Sequence, residues 1–261
     1  KVYNQFYSAN NLGGQFNFNN NHQLDIDLTY RLAELNNDVF IDYEDYLGEA
    51  LVSKFRRLDN QRLQTHLLRV STNYYWKLNQ QGGKLTIRLL GQRSTEDGNS
   101  TMTDELQIRV ASILNVDRSM NTRQNTRYNL SADYVQPLNK HTRFELGAQY
   151  RNTEILNNFE VSRTANGTTS TIPAFTDNTT YLENIYAAYF QFTKTFNKLK
   201  YQFGLRSETT NILIATENNT REQAIHYTNW FPSAFVHYDF NKRHKIRLSA
   251  SRRIRRPRLN A

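Results

Sequence analysis

Ser233, His237 and Asp239 bring together the residue types of a hydrolase triad: a nucleophile, a base and an orienter. Their numbering argues against that chemistry. All three are odd-numbered along one extended segment, so they share a strand face and point the same way without converging on a reacting atom. The other histidines, His22, His66, His141, His226 and His244, are scattered, and His22, His141 and His244 fall at polar turns. The chain contains no cysteine, which removes disulfides and thiolate metal sites. No metal-ligand spacing and no phosphate-binding glycine loop is present. The expectation is a protein with no catalytic residue, no metal and no cofactor.

The formal charge of +9 invites a nucleic-acid reading. Lys and Arg are spread along the chain, however, and the one dense cluster is Arg252, Arg253, Arg255, Arg256 and Arg258. That cluster reads as a strand end with Arg253 turned inward and the rest at an interface or against lipid head groups, so no nucleic-acid partner is expected. The Asn-x-Ser/Thr triplets at Asn99, Asn129, Asn166, Asn178 and Asn218 would matter only in a eukaryotic secretory protein. What remains is a set of charges in mid-segment with both signs close together: Arg143, Glu145 and Arg151, then Lys200, Arg206 and Glu208, then Arg247. These are the candidate substrate-contacting residues, together with Arg253.

The elements that hold them are strands. In residues 181–208 the even positions Leu182, Tyr186, Ala188, Phe190 and Phe192 are apolar against Glu183, Gln191, Thr193 and Thr195. After Asn197-Lys198 the parity switches, and Leu199, Tyr201, Phe203 and Leu205 oppose Lys200, Gln202, Arg206 and Glu208. Period two on both sides of a tight polar turn is a β-hairpin. The same rhythm recurs around turns near 19–22, 79–83, 138–141 and 240–243, giving about ten strands in five hairpins. Between the hairpins lie polar segments near 36–61, 95–121, 154–180 and 211–225, which read as long loops, a length that usually carries function.

Short turns at one end and long loops at the other are the layout of an outer-membrane barrel. The mean hydropathy of −0.75 does not oppose it. A spanning strand needs only about 9–11 residues, of which every second one is apolar. A soluble β-sandwich also alternates, but it turns its polar set to water and its apolar set to a core. Two features favour the membrane: charges in mid-strand suit a wet or plugged lumen, and aromatics gather toward strand ends as interface girdles do. The lipid-facing and girdle set is then Tyr30, Tyr74, Trp76, Tyr150, Phe190, Phe192, Trp230 and Tyr238. The fold class is all-β, an antiparallel up-and-down transmembrane β-barrel.

The C-terminal half carries a more specific signal. Asn184-Ile185-Tyr186-Ala187-Ala188-Tyr189, Tyr201-Gln202-Phe203-Gly204-Leu205-Arg206-Ser207-Glu208, Trp230-Phe231-Pro232-Ser233 and the run from Leu248 to Pro257 follow in order. In that order and spacing they resemble the barrel domain of TonB-dependent receptors, in particular the outer-membrane β-barrel family common in Bacteroidetes. That family typically shows a G-L-R-x-E strand, an F-P-S strand entry and an S-R-R-I-x-R-P strand end. The resemblance implies a bacterial outer-membrane transporter that takes up a solute through a plugged barrel with energy delivered by the TonB system. Outer-membrane lipid is then one partner, and a surface lipoprotein or other outer-membrane protein is another expected neighbour. Barrels of this kind have about 22 strands, so residues 1–261 are expected to form one partial barrel domain, with the plug that engages TonB outside this chain. A non-transporting scaffold or adhesin barrel, and a soluble β-sandwich binding module, are the alternatives.

Overall fold

The computed structural model describes residues 2–106, 112–217, 222–241 and 243–254. They form one antiparallel sheet of eleven strands. In chain order these are β1 (Val2–Asn19), β2 (His22–Leu47), β3 (Ala50–Lys77), β4 (Lys84–Leu106), β5 (Ser112–Asn139), β6 (Thr142–Ala165), β7 (Thr168–Thr171), β8 (Asp177–Phe196), β9 (Leu199–Thr216), β10 (Glu222–Asp239) and β11 (Lys245–Ser251). Each strand pairs with its sequence neighbours, except that β8 pairs with β6 while the short β7 pairs beside it on β6. Among the described residues β1 pairs only with β2 and β11 only with β10, so the sheet is not closed on itself.

The tight turns owe their repeated spelling to asparagine. The side-chain oxygen of Asn19 accepts the N–H of Asn21 at 2.8 Å, that of Asn139 accepts His141 N–H at 2.9 Å, and that of Asn241 accepts Arg243 N–H at 2.9 Å. Each side chain thus takes up a main-chain donor two residues on, the mechanism that makes asparagine a turn former. Asn197 instead supplies a positive φ of 51°, which asparagine tolerates better than most residues. Lys242 of the third such turn lies outside the described residues.

The segments expected to be long loops are mostly strand. β2 and β3 run through 36–61 and reverse at Gly48-Glu49, where Gly48 has a φ of 64°. β4 and β5 occupy most of 95–121, with 107–111 outside the described residues. In 154–180 β6 continues to Ala165 before β7, a turn of 3-10 helix at Pro173–Phe175 and the start of β8. In 211–225 β9 runs to Thr216 and β10 begins at Glu222, with 218–221 outside the described residues. The reason is physical. Where the strands leave the apolar band their outward residues turn polar, so the period-two hydropathy signal stops while the backbone ladder continues. Side chains mark that continuation: Gln64 donates to Glu34 at 2.9 Å, Asn37 to Gln61 at 3.1 Å and Asn60 to Asp38 at 2.8 Å, each across directly paired positions.

The two faces differ in what they bury. Apart from the turn residue Gly83, every buried residue among those described belongs to one face: Thr86, Thr153, Ile185, Ala187, Thr193, Glu208 and Thr210. The opposite face carries the large apolar side chains and leaves them uncovered, with Phe190 at 45 % and Trp230 at 54 % exposure. A single-layer sheet has no second layer to cover either face, so side chains become buried only where the surface curves inward and crowds them. The polar face is therefore the inner one. Along β2 the apolar outward set runs from Leu24 to Leu32, about 27 Å at roughly 3.4 Å per residue, and the lipid-facing band of an outer-membrane barrel is about 25 Å tall.

Within that band Leu146, Phe190 and Leu205 lie side by side on β6, β8 and β9. Phe190→Arg puts a charge among them. If the row sits near the bilayer midplane, the full-length protein is expected to lose about 2–4 kcal/mol of folding stability in a lipid refolding assay, while Gln191→Arg, one residue along and on the inner face, is tolerated. Equal tolerance of the two substitutions would overturn the assignment of faces.

Candidate functional site

The candidate site is the inner face itself, and small residues decide how its side chains meet. Gly147 on β6 lies between Asp133 on β5 and Tyr189 on β8 in one cross-strand row. A Cβ on Gly147 would fall 2.1 Å from Tyr189 Cε1, so the phenol ring lies flat over the glycine. Its hydroxyl reaches across a whole strand to donate to Asp133, which also accepts from Arg88 on β4. The neighbouring row is built the same way. Ala187 on β8 is small enough for Arg206 on β9 to reach past it, donating through Nη2 to Gln149 on β6 at 2.8 Å. Arg206 Nε donates to Glu208 at 2.7 Å, and Gln149 passes the chain on to Asn129 at 2.7 Å.

The residues singled out from the sequence fall as follows. Arg206 and Glu208 form an ion pair inside this network, with Glu208 8 % exposed. Arg143 pairs with Glu145 at 3.0 Å near the turn end. Arg247 donates through Nε to His237 Nδ1 at 3.1 Å, and His237 Nε2 lies 3.1 Å from Asp239. Both nitrogens of His237 are thereby engaged, and Ser233 donates instead to the Gly204 carbonyl at 3.5 Å, so the three do not assemble a hydrolytic centre. Arg151 and Lys200 have no hydrogen-bond or ion-pair partner among the described residues. Arg253 lies exposed past the end of β11, and Arg255, Arg256 and Arg258 lie outside the described residues.

On the outer face three of the girdle hydroxyls are paired at the band's edges. Tyr30 bonds His66 at 2.9 Å, Tyr150 donates to Asn184 at 2.9 Å, and Tyr74 bonds His22 at 2.6 Å, with His22 stacked on Trp76 at 5.4 Å. A tyrosine whose ring is in hydrocarbon and whose hydroxyl is paired at the rim is an interface anchor. Phe190, Phe192, Trp230 and Tyr238 take the same face by register.

The inner face also holds residues that the sequence did not single out, three of them in segments expected to be loops. Buried atoms of Asn37, Asn121, Asn125, Arg127, Asn157 and Thr193, all on this face, have no hydrogen-bond partner. Buried polar atoms left unpaired are destabilising by about 1–3 kcal/mol each, and these six lie together on the inner face. Parity places Arg127 and Thr193 on this face, but only register across strands shows that the others join them. Among the described residues no group of three or more His, Asp or Glu is placed to hold a metal ion.

Beyond the apolar band the inner face is tied by fork-to-fork ion pairs. Arg57 grips Asp104 at 2.7 and 2.8 Å, and Arg163 grips Asp117 at 2.7 Å through both nitrogens. The Arg163 guanidinium holds the Asp117 carboxyl below the usual aspartate value.

Two outcomes are expected. Gly147→Ala forces Tyr189 off its row and lowers the unfolding temperature of the full-length protein by the equivalent of about 1–3 kcal/mol, read from the loss of the fast-migrating unheated gel band. In a Tyr189→Ala background the same substitution has little effect, and strict additivity of the two would sink the contact. Because the folded pKa of Asp117 is depressed, its contribution is present above the ordinary value of about 3.9 and is lost as pH falls through the lower folded value. Amide protection in the β5–β6 ladder around Asp117 should therefore drop as pH falls below the ordinary aspartate value of about 3.9, and Asp117→Asn should abolish that dependence; an unchanged profile in the variant would refute it.

The sequence profile of the outer membrane protein beta-barrel family matches residues 76–261. No curated protein matches the chain. Among solved structures, the ferric citrate transporter FecA in its unliganded form aligns over 92 % of this chain and 40 % of its own, with 13 % identity and a TM-score of 0.52. The ferric preacinetobactin receptor BauA of Acinetobacter baumannii aligns over 91 % of this chain and 44 % of its own, with 10 % identity and a TM-score of 0.45. The chain thus spans less than half the length of these receptors, and at 13 % identity the likeness to FecA is one of fold.

Proposed function

From the premise that this chain belongs to the outer membrane protein beta-barrel family and lies in the bacterial outer membrane, we propose that it forms the wall of a solute-uptake barrel. One observation carries the reading: large apolar side chains are uncovered on one face while charged and amide side chains crowd, partly unpartnered, on the other. An arrangement that would be inverted in water fits a sheet with lipid outside and a polar passage inside. The candidate contacts along that passage are Arg151, Lys200, Arg206 and Glu208, together with the unpartnered Arg127 and Asn125 farther out. A passage of this kind favours a hydrogen-bonding solute over an apolar one.

Energy for uptake would come from the TonB system, acting through a plug seated in the lumen, as the resemblance of the hairpin motifs implies. The residue span 1–261 then acts as one stretch of barrel wall, with its turn end periplasmic and the extended hairpin ends outside the cell.

The test uses cells that carry or lack the full-length gene, incubated in a defined mixture of small polar solutes. Uptake of at least one solute is expected to depend on the gene and to stop when the inner-membrane proton gradient is dissipated. Arg127→Ala is expected to lower the initial rate severalfold at equal surface abundance. Uptake that ignores the gradient, or depletion that is identical without the gene, would remove the energised-transport reading.

A further inference from the structure

The turn end of the inner face holds a cavity of about 740 Å³ whose lining includes Gln80, Lys140, Arg143, Thr193, Thr195 and Lys200. Register brings four of these to three adjacent strands: Arg143 on β6 is directly opposite Thr193 on β8, and Lys200 on β9 is directly opposite Thr195, two residues along the same face of β8. Directly paired residues have Cβ atoms about 5 Å apart; Arg143 and Thr193 are such a pair, Lys200 lies on the diagonal to Thr193, which is directly opposite Gln202, and all three line the same cavity. Thr193 is 6 % exposed, and its Oγ1 has no hydrogen-bond partner.

The charges there do not cancel. Glu145 takes up part of Arg143. The neighbouring inner-face group is closed on itself, with Arg247 and Asp239 both on His237 and Lys245 on Asp239 at 3.5 Å. Lys200, directly opposite His237 in the ladder, is left without an acid, and Lys140 on the adjacent turn adds a second cation.

We propose that Arg143, Thr193 and Lys200 form a binding site for a small oxyanion, a phosphate or carboxylate group, at the periplasmic end of the barrel wall. The chemistry is complementary: an oxyanion oxygen accepts from the Thr193 hydroxyl, which has no other acceptor, and from two cations at once. A neutral or cationic ligand would leave Lys200 facing like charge. The site rests on the inner-face assignment made above, not on energised transport, because binding here requires only a wet lumen.

The experiment is equilibrium binding of inorganic phosphate and, separately, of succinate to the detergent-solubilised full-length protein, followed by titration calorimetry at constant ionic strength. The gel shift between unheated and boiled samples verifies that each variant is folded. Saturable binding of either anion is expected, weakened about tenfold by Lys200→Gln and severalfold by Thr193→Val, which keeps the volume and removes the hydroxyl. Succinate binding without phosphate binding assigns the site to carboxylates, and the reverse assigns it to phosphates. Binding that is absent for both anions, that chloride abolishes at equal ionic strength, or that neither substitution changes would overturn the proposal. Loss of gene-dependent uptake with anion binding intact would count against the transport reading and leave this site standing.

Discussion

Hydrocarbon offers a peptide group no hydrogen-bond partner, and the rest of this structure follows from that constraint. Every N–H and C=O inside the lipid band must be satisfied by a neighbouring strand, so the chain is written as an antiparallel ladder whose members, β6 and β8 apart, are neighbours in sequence. Once the backbone is satisfied in this way, the side chains are relieved of holding the sheet together by a packed core. They are sorted by parity into a lipid-facing set and an inner set, and among the described residues the few buried strand residues belong to the inner one. Polar networks on that face, such as Arg206 with Glu208 and Gln149, sit where a soluble protein of similar size would keep leucines and valines.

Parity made the two faces legible in the residues themselves. Phe190 and Gln191, or Leu205 and Arg206, separate without any knowledge of pairing, and the asparagine turns near 19–22, 138–141 and 240–243 announce themselves by composition. Strand length was not legible. From Glu34 outward β2 has polar residues on both faces, and hydropathy cannot distinguish a hydrated strand from a hydrated loop; only the ladder to β3 can. The meeting of Tyr189 with Asp133 was equally hidden, since it requires knowing that Gly147 lies between them in one row, which is a fact about register across three strands. The orphaned hydroxyl of Thr193 belongs to the same class, because only the folded sheet shows which side chains lack partners.

Small residues on the inner face do more than fill space. Gly147 and Ala187 lower the floor of the sheet at two adjacent rows, and long side chains from the next strand use that depth to bond one strand farther on. Contacts of this reach tie together strands that share no backbone hydrogen bonds. They supply some of the lateral stiffness that a second layer supplies in a sandwich.

The alternation that separates the faces also separates what each strand is free to change. Along β8 the sequence holds two interleaved texts, one read by lipid at Phe190 and Phe192 and one read by the lumen at Ile185, Ala187 and Tyr189. A substitution in one text leaves the letters of the other in place. A lineage can therefore change the inner face while its membrane anchorage stays constant, and can follow a change of lipid composition without altering that face.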